Sequence, residues 1–428
     1  MGAAARARAG LVGAVSSAGS LVTARRHTLP PALDRALDAA KWARTPWTPD
    51  PDEPTLTSPR SGRPARVLIG PANFAGQGLA WAAALDRAGV PAVSWAFVAD
   101  PRFRFAADHR APLGAVHRAS RAHQRRVFER VVATVEAVVI EAGRPLFGRL
   151  HGFDPVAEAA ALQARGVRVA LLWHGTDVRV PSEHAATHPE SPFAVPDTRT
   201  RALEAVALRN RRRAAAFDGP VLVSTPDLLP GWPGALWCPV VVDVDAWASD
   251  APLLERDVPL VVHAPSNRAL KGTDLIEPGL ARLADEGAIT YRALAGVPAD
   301  EVRALYRAAD VVLDQFALGI YGVAAVEAMA AGRLVVSHVD AQVRDAVRTT
   351  GVDLPVLESS APDVERVLRA LATDRTGART LAAEGPPLAR ALHDGTRSAA
   401  VLLSALEVGT ASAASPDAPA DEADGPTR

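Results

Sequence analysis

The run Ala309-Asp310-Val311-Val312-Leu313-Asp314-Gln315-Phe316 leads through Gly319-Ile320-Tyr321-Gly322 into Val323-Ala324-Ala325-Val326-Glu327-Ala328-Met329-Ala330-Ala331-Gly332. A short bounded apolar run reads as a buried strand, two glycines pin a turn, and an Ala-rich stretch follows that favours helix. Strand, turn and helix in that order make half of a parallel β-α-β unit. The turn carries backbone N–H groups and a helix start to the strand's carboxyl end, where open α/β sheets bind anions and other ligands. Glu327 stands just over one turn inside the otherwise apolar helix. A carboxylate there is costly to bury unless ligand hydroxyls or an arginine satisfy it.

Outward from this unit the same alternation repeats. Pro259–His263, Ile289–Ala293 and Leu334–Ser337 read as further strands of one series. Arg66–Gly70, Val132–Ile140, Val167–Leu172 and Val221–Ser224 form an earlier series, with a helix expected at Leu79–Ala88. The fold class is therefore α/β, with two Rossmann-like domains of parallel sheet. Residues 64–245 form the first and 246–390 the second, and 391–408 are expected to be a closing helix that returns to the first. Residues 1–63 read as an extension, whose prolines between 45 and 64 make an extended arm or linker. Residues 409–428 are Ala/Ser/Pro/Asp-rich without periodicity and read as a disordered tail.

Composition narrows the function. Basic and acidic residues number 47 and 48, a net charge of −1, so no global basic field exists to hold nucleic acid. With Cys238 as the one cysteine, no intramolecular disulfide or thiolate metal cluster forms. No uninterrupted apolar run is long enough for a membrane span, and a cytoplasmic setting is expected. Only Lys41 and Lys271 among the 47 basic residues are lysine, so a lysine stands against the arginine bias of the chain.

Candidate site residues cluster at strand ends. After Val261-Val262-His263 come Ser266, Asn267, Arg268 and Lys271, where an arginine fork and a lysine point charge suit a diphosphate leaving group. In the first series, Gly70-Pro71-Ala72-Asn73-Phe74-Ala75-Gly76-Gln77-Gly78 opens a helix. Read from Gly76 as G-x-G-x-x-G it fails at Trp81, so a nicotinamide enzyme is poorly supported. His174 stands at another strand end. His184 and His188 are four apart, but Ala185 stands where the metalloprotease pattern needs Glu, and no metal site is expected. Asp243 and Asp245 fall at the domain junction, where a carboxylate pair is ascribed to chance. Arg118, Arg121, Arg125, Arg126 and Arg130, with apolar residues between them, would suit either a solvated helix face or peripheral contact with an anionic membrane. A second basic cluster spans Arg209, Arg211, Arg212 and Arg213.

The Tyr321-Gly322 turn followed by Glu327-Ala328-Met329-Ala330-Ala331-Gly332 resembles the nucleotide-sugar site of family 4 glycosyltransferases, which have the GT-B fold. Trp173-His174-Gly175-Thr176-Asp177 is similar to that family's His-Gly-Ser/Thr-Asp segment, and Val223-Ser224-Thr225-Pro226-Asp227 to its last amino-terminal strand. The resemblance covers about residues 64–406. It implies that Glu327 binds the nucleotide ribose, that Lys271 and Arg268 hold the diphosphate, and that Tyr321, Gly322 and Val323 approach the sugar and phosphates. It further implies that Gly76 and Gly78 face the cleft near the donor phosphates, that His174 faces the reacting sugar, and that configuration is retained without metal or cofactor. Partners would be a nucleotide-sugar donor and an unidentified acceptor. One departure stands out: the family has two glutamates eight residues apart, and the position eight before Glu327 is Gly319. A nucleotide-sugar 2-epimerase-like isomerase, or a non-catalytic sugar-nucleotide binder, stays open as an alternative.

Overall fold

The computed structural model describes residues 48–99, 105–294, 297, 299–371 and 373–410, with single positions at 33, 36, 37 and 40. Expectations for the extension before residue 48 and for the tail after residue 410 lie outside the described residues.

Two wholly parallel sheets carry the chain. The first has seven strands in the order β3-β2-β1-β4-β5-β6-β7: β1 Val67–Gly70, β2 Ala92–Val98, β3 His109–Pro112, β4 Ala137–Glu141, β5 Arg168–Trp173, β6 Val221–Val223 and β7 Leu236–Trp237. The second has five in the order β12-β11-β10-β8-β9: β8 Leu260–His263, β9 Thr290–Ala293, β10 Val311–Leu313, β11 Leu334–Ser337 and β12 Val356–Glu358. Their central strands are buried on both faces, as continuous apolar runs such as Val311-Val312-Leu313 require. In each sheet the strand order reverses once, between β1 and β4 and between β8 and β10. These switch points leave a crevice at the strands' carboxyl ends.

Some boundaries differ from the sequence reading. Residues 132–134 end the helix Arg121–Thr134 instead of opening a strand, because Val127, Phe128 and Val131 share its buried face. The basic run from Arg118 to Arg130 is divided at Ser120, whose side chain caps the second helix by accepting the N–H of His123. The expected closing helix is two helices, Gly385–His393 and Thr396–Ala405, broken at Gly395, which adopts a left-handed φ of 100°. The second of them packs on the helix Gln77–Arg87 of the first domain. The proline-rich arm is extended and packs against the first sheet: Thr55 accepts the indole N–H of Trp95 at 2.9 Å, and Leu56 joins the core.

The two halves meet through side chains as well as through the crossovers. The rings of His184 and His188 stack at 4.0 Å. His188 Nε2 reaches Asp340 at 2.7 Å, while Asp340 also faces His338 at 3.4 Å. The turn Pro226–Gly231 lies against the helix Ala341–Arg348. Gly319 has a φ of 66°, and a Cβ there would run into the Asp340 carboxylate. Two outcomes follow. Asp340→Ala is expected to loosen the contact between the halves, read as a larger radius of gyration in small-angle scattering; an unchanged curve would show that the remaining contacts hold them without it. Gly319→Ala is expected to cost ~1–3 kcal/mol in denaturant unfolding, from the left-handed backbone and the carboxylate it would displace.

Candidate functional site

At the second switch point, β10 ends against Asp314, whose carboxylate is almost wholly buried. One of its oxygens accepts the N–H of Gly322 at 2.8 Å, and the other pairs with the ammonium of Lys271. Lys271 closes the short helix Arg268–Lys271, which Asn267 caps by accepting the N–H of Leu270 at 3.1 Å. Beneath them His263 is buried between strands. Its Nδ1–H donates to the Leu313 carbonyl at 2.9 Å, and its Nε2 accepts the Thr273 hydroxyl at 2.8 Å. Burial brings its pKa down to about 4, so the ring is a neutral strut across the switch point.

Gly322 precedes the helix Val323–Ala330, whose first N–H groups have no carbonyl partners within the helix. Glu327 lies on its second turn. No hydrogen bond fixes the Glu327 carboxyl among the described residues, and burial pushes its pKa up to about 8, Lys271 opposing and Asp314 reinforcing the shift. Tyr306 and Arg303 complete its electrostatic surroundings. A carboxyl poised in this way can both donate to and accept from ligand hydroxyls.

The sequence candidates therefore divide. Lys271, Gly322, Val323 and Glu327 come together around Asp314. Arg268 turns outward, its guanidinium on Asp274 at 2.6 Å and on Glu277. Ser266 is exposed, and Asn267 is spent as a cap. The Tyr321 side chain is buried, with its hydroxyl donating to His393 Nε2 at 3.2 Å, so only its backbone is left to meet a ligand. Asp243 caps the helix Val244–Trp247, and Asp245 pairs with Arg390 at 2.8 Å.

The first switch point is built alike. Glu141, the last residue of β4, is fully buried. Its Oε2 accepts the N–H groups of Ala72 at 3.1 Å and Asn73 at 3.2 Å, and its Oε1 meets His174 Nε2 at 3.1 Å. The loop needs Gly78, since a Cβ there would lie 3.2 Å from the same carboxylate, and Gly76 takes a left-handed φ of 76°. The His174 ring is held between Phe74 at 5.0 Å and Trp81 at 5.7 Å, while Asp177 accepts the N–H groups of His174 and Gly175. Sequence reasoning passed over Glu141. The signal was there: a carboxylate ending the apolar run Val138-Val139-Ile140, as Asp314 ends Val311-Val312-Leu313.

No family model matches the chain, and no curated protein does. Among solved structures, sucrose-phosphate synthase from Thermosynechococcus elongatus superposes with a TM-score of 0.51 at 14% identity, over 78% of this chain and 96% of that one. HepE from Anabaena, in complex with UDP-glucose, gives 0.49 at 14% identity over 79% and 99%. The catalytic domain of starch synthase IV from Arabidopsis thaliana, bound to ADP and acarbose, gives 0.46 at 11% identity over 78% and 99%. The likeness to the synthase is one of fold: this chain has the GT-B arrangement of two Rossmann-like domains. Among the described residues no cluster of three or more His, Cys, Asp or Glu could hold a metal ion, and no helix is long and apolar enough to cross a membrane.

The raised pKa of Glu327 has a thermodynamic consequence. Between its ordinary 4.5 and about 8 the folded chain holds a proton that the unfolded chain has released. Stability therefore falls as pH rises through that window. Glu327→Gln is expected to leave the unfolding free energy near wild type at pH 5 and to raise it at pH 8.5, by on the order of 1–3 kcal/mol. An equal difference at both pH values would place the carboxyl in water.

Proposed function

We propose that the chain is a glycosyltransferase that moves a sugar from a nucleotide-diphosphate sugar to an acceptor held on the first domain, with retention of configuration and without a metal ion. One observation carries the reading. At the second switch point the Lys271 ammonium meets a turn and helix that offer a free helix start and a carboxyl without hydrogen-bond partners among the described residues. Those three groups match diphosphate, diphosphate and ribose hydroxyls in turn.

Bond cleavage at the anomeric carbon places negative charge on the departing diphosphate. Lys271 and the N–H groups following Gly322 stabilise that charge as it grows, which is electrostatic catalysis aimed at the leaving group. In the ligand-free protein Asp314 neutralises Lys271. A bound diphosphate competes for the same ammonium, while Asp314 keeps its hold on the Gly322 N–H. The acceptor hydroxyl then attacks on the face that the leaving group vacates, and no covalent nucleophile is assigned. Arg268 joins only if its guanidinium leaves Asp274 and Glu277, a rotation about its own exposed side chain.

Calorimetry with a panel of nucleoside diphosphates tests this reading. One nucleotide is expected to saturate the wild-type protein, with affinity at least tenfold lower in Lys271→Ala and clearly lower in Glu327→Ala. Absence of binding by the wild type, or binding indifferent to Lys271, would overturn the assignment.

A further inference from the structure

Beside the first switch point stands a cation with no carboxylate or hydrogen-bond partner for its side chain among the described residues. Arg144 lies three residues past the end of β4, in a loop held firmly in place. Its own N–H donates to the Glu141 carbonyl at 3.1 Å. The Glu158 carboxyl accepts the N–H groups of Leu146 at 2.7 Å and Phe147 at 3.0 Å. Ala142 and Gly143 take left-handed φ values of 54° and 60°, and a Cβ at Gly143 would lie 2.9 Å from the Trp173 ring. The Arg144 side chain is only partly exposed, and its guanidinium carbon sits 4.9 Å over the Phe74 ring.

Among the described residues no carboxylate pairs with Arg144 and no acceptor takes any of its guanidinium N–H groups. The two carboxylates whose charge it feels are Glu141 and Asp177. Both are already engaged, Glu141 by two loop N–H groups and His174, Asp177 by the N–H groups of His174 and Gly175. Withdrawing a guanidinium from water without pairing it is unfavourable, and stacking on an aromatic ring offsets only part of that cost. Accordingly, burial pulls its pKa below the ordinary arginine value. A second guanidinium lies nearby: burial, with the charges of Arg144 and Arg149, brings the pKa of His117 down to about 4. A rigid, partly desolvated fork of donors, one carboxylate away from His174, is suited to an oxyanion.

We propose that Arg144 is the anion-binding residue of the acceptor subsite, so that the acceptor is a hydroxyl compound carrying a phosphate or carboxylate. Arg144 grips the oxyanion and thereby presents the reacting hydroxyl beside His174. This rests on the glycosyl-transfer reading and adds the chemical class of the acceptor. The guanidinium's alternative occupant is the donor's own diphosphate, reached from across the crevice.

Calorimetry on the full chain separates these. The tightest-binding nucleoside diphosphate of the panel is titrated first, then inorganic phosphate or acetate into the nucleotide-saturated protein, for wild type, Arg144→Gln and Arg144→Lys. Inorganic phosphate is also titrated into Lys271→Ala without nucleotide. Phosphate or acetate is expected to bind the saturated wild type, at least tenfold more weakly in Arg144→Gln and in between for Arg144→Lys. Nucleotide affinity should not change in either Arg144 variant, and Lys271→Ala should still bind phosphate, since Arg144 remains. If neither anion binds the wild type, or both bind Arg144→Gln equally well, the subsite is overturned. A parallel loss of nucleotide affinity in Arg144→Gln assigns the guanidinium to the donor and also overturns it. Anion binding that depends on Arg144 in a protein that binds no nucleotide would sink glycosyl transfer and leave the anion site standing. Should Arg144→Gln fail to fold, Arg144→Lys carries the comparison, since it keeps the charge and removes the bidentate fork.

Discussion

Glu141 and Asp314 are carboxylates withdrawn from water at the carboxyl end of a parallel strand, each on the strand that faces the first strand of its sheet across the switch point. A buried carboxylate must be met by donors or it destabilises the fold, and both are met in the same manner. Each takes N–H groups from a turn on one side and a basic side chain on the other: Ala72, Asn73 and His174 for Glu141, Gly322 and Lys271 for Asp314. The need to satisfy one charge thus fixes where a turn lies, and the turn fixes what a ligand meets. The two crevices that a GT-B protein sets against each other are organised here by the same local physics.

Between them the halves are joined through a chain of neutral groups. His393 ends the helix Gly385–His393 just before the chain returns to the first domain. Its Nδ1–H donates to the Val240 carbonyl at 2.8 Å, leaving Nε2 to accept from the Tyr321 hydroxyl. Burial brings its pKa down to about 4, which keeps that donor–acceptor order at neutral pH. Val242 in turn donates to the His393 carbonyl at 2.8 Å. The turn that carries Gly322 is therefore hydrogen-bonded, through two side chains, to the segment where the chain crosses from one sheet to the other. A displacement of one half against the other strains this relay directly, and with it the turn beside Lys271.

Much of this was legible in the sequence because it depends on periodicity and local chemistry. Apolar runs of four or five residues found most of the central strands, and the turn and helix at 319–330 announced themselves through glycine and alanine. Edge strands such as β3, with His109 and Arg110, carry too little apolar signal to be read. The end of the helix Arg121–Thr134 was misplaced because Val131 and Val132 suit strand and helix equally. Site residues divided on similar lines. Lys271 and Glu327 were conspicuous against their surroundings. The outward turn of Arg268, by contrast, depends on carboxylates six and nine residues further on, Asp274 and Glu277, and the seclusion of Tyr321 depends on His393 far along the chain. Spacing could not supply either fact. Nor could it show that Arg144 has no carboxylate partner among the described residues, since Glu141, the nearest acid in sequence, is taken by groups from two other loops.

Gly319 and Lys271 illustrate how backbone space settles residue identity. At position 319 the left-handed backbone and the adjoining Asp340 carboxylate crowd any Cβ, so the glutamate that the family 4 resemblance would put here would have to displace Asp340 and strain the turn. The nearest carboxylate comes instead from the start of the next helix, on a side chain that already ties the halves together through His188. At position 271 the constraint falls on the cation. A Cβ on Gly322 would lie 3.3 Å from the Lys271 ammonium, so turn and cation pack almost in contact. A compact point charge fits between that turn and Asp314, whereas a planar guanidinium, broader and set at the end of a different stem, would push the turn away. In a chain whose basic residues are otherwise almost all arginine, geometry accounts for the exception.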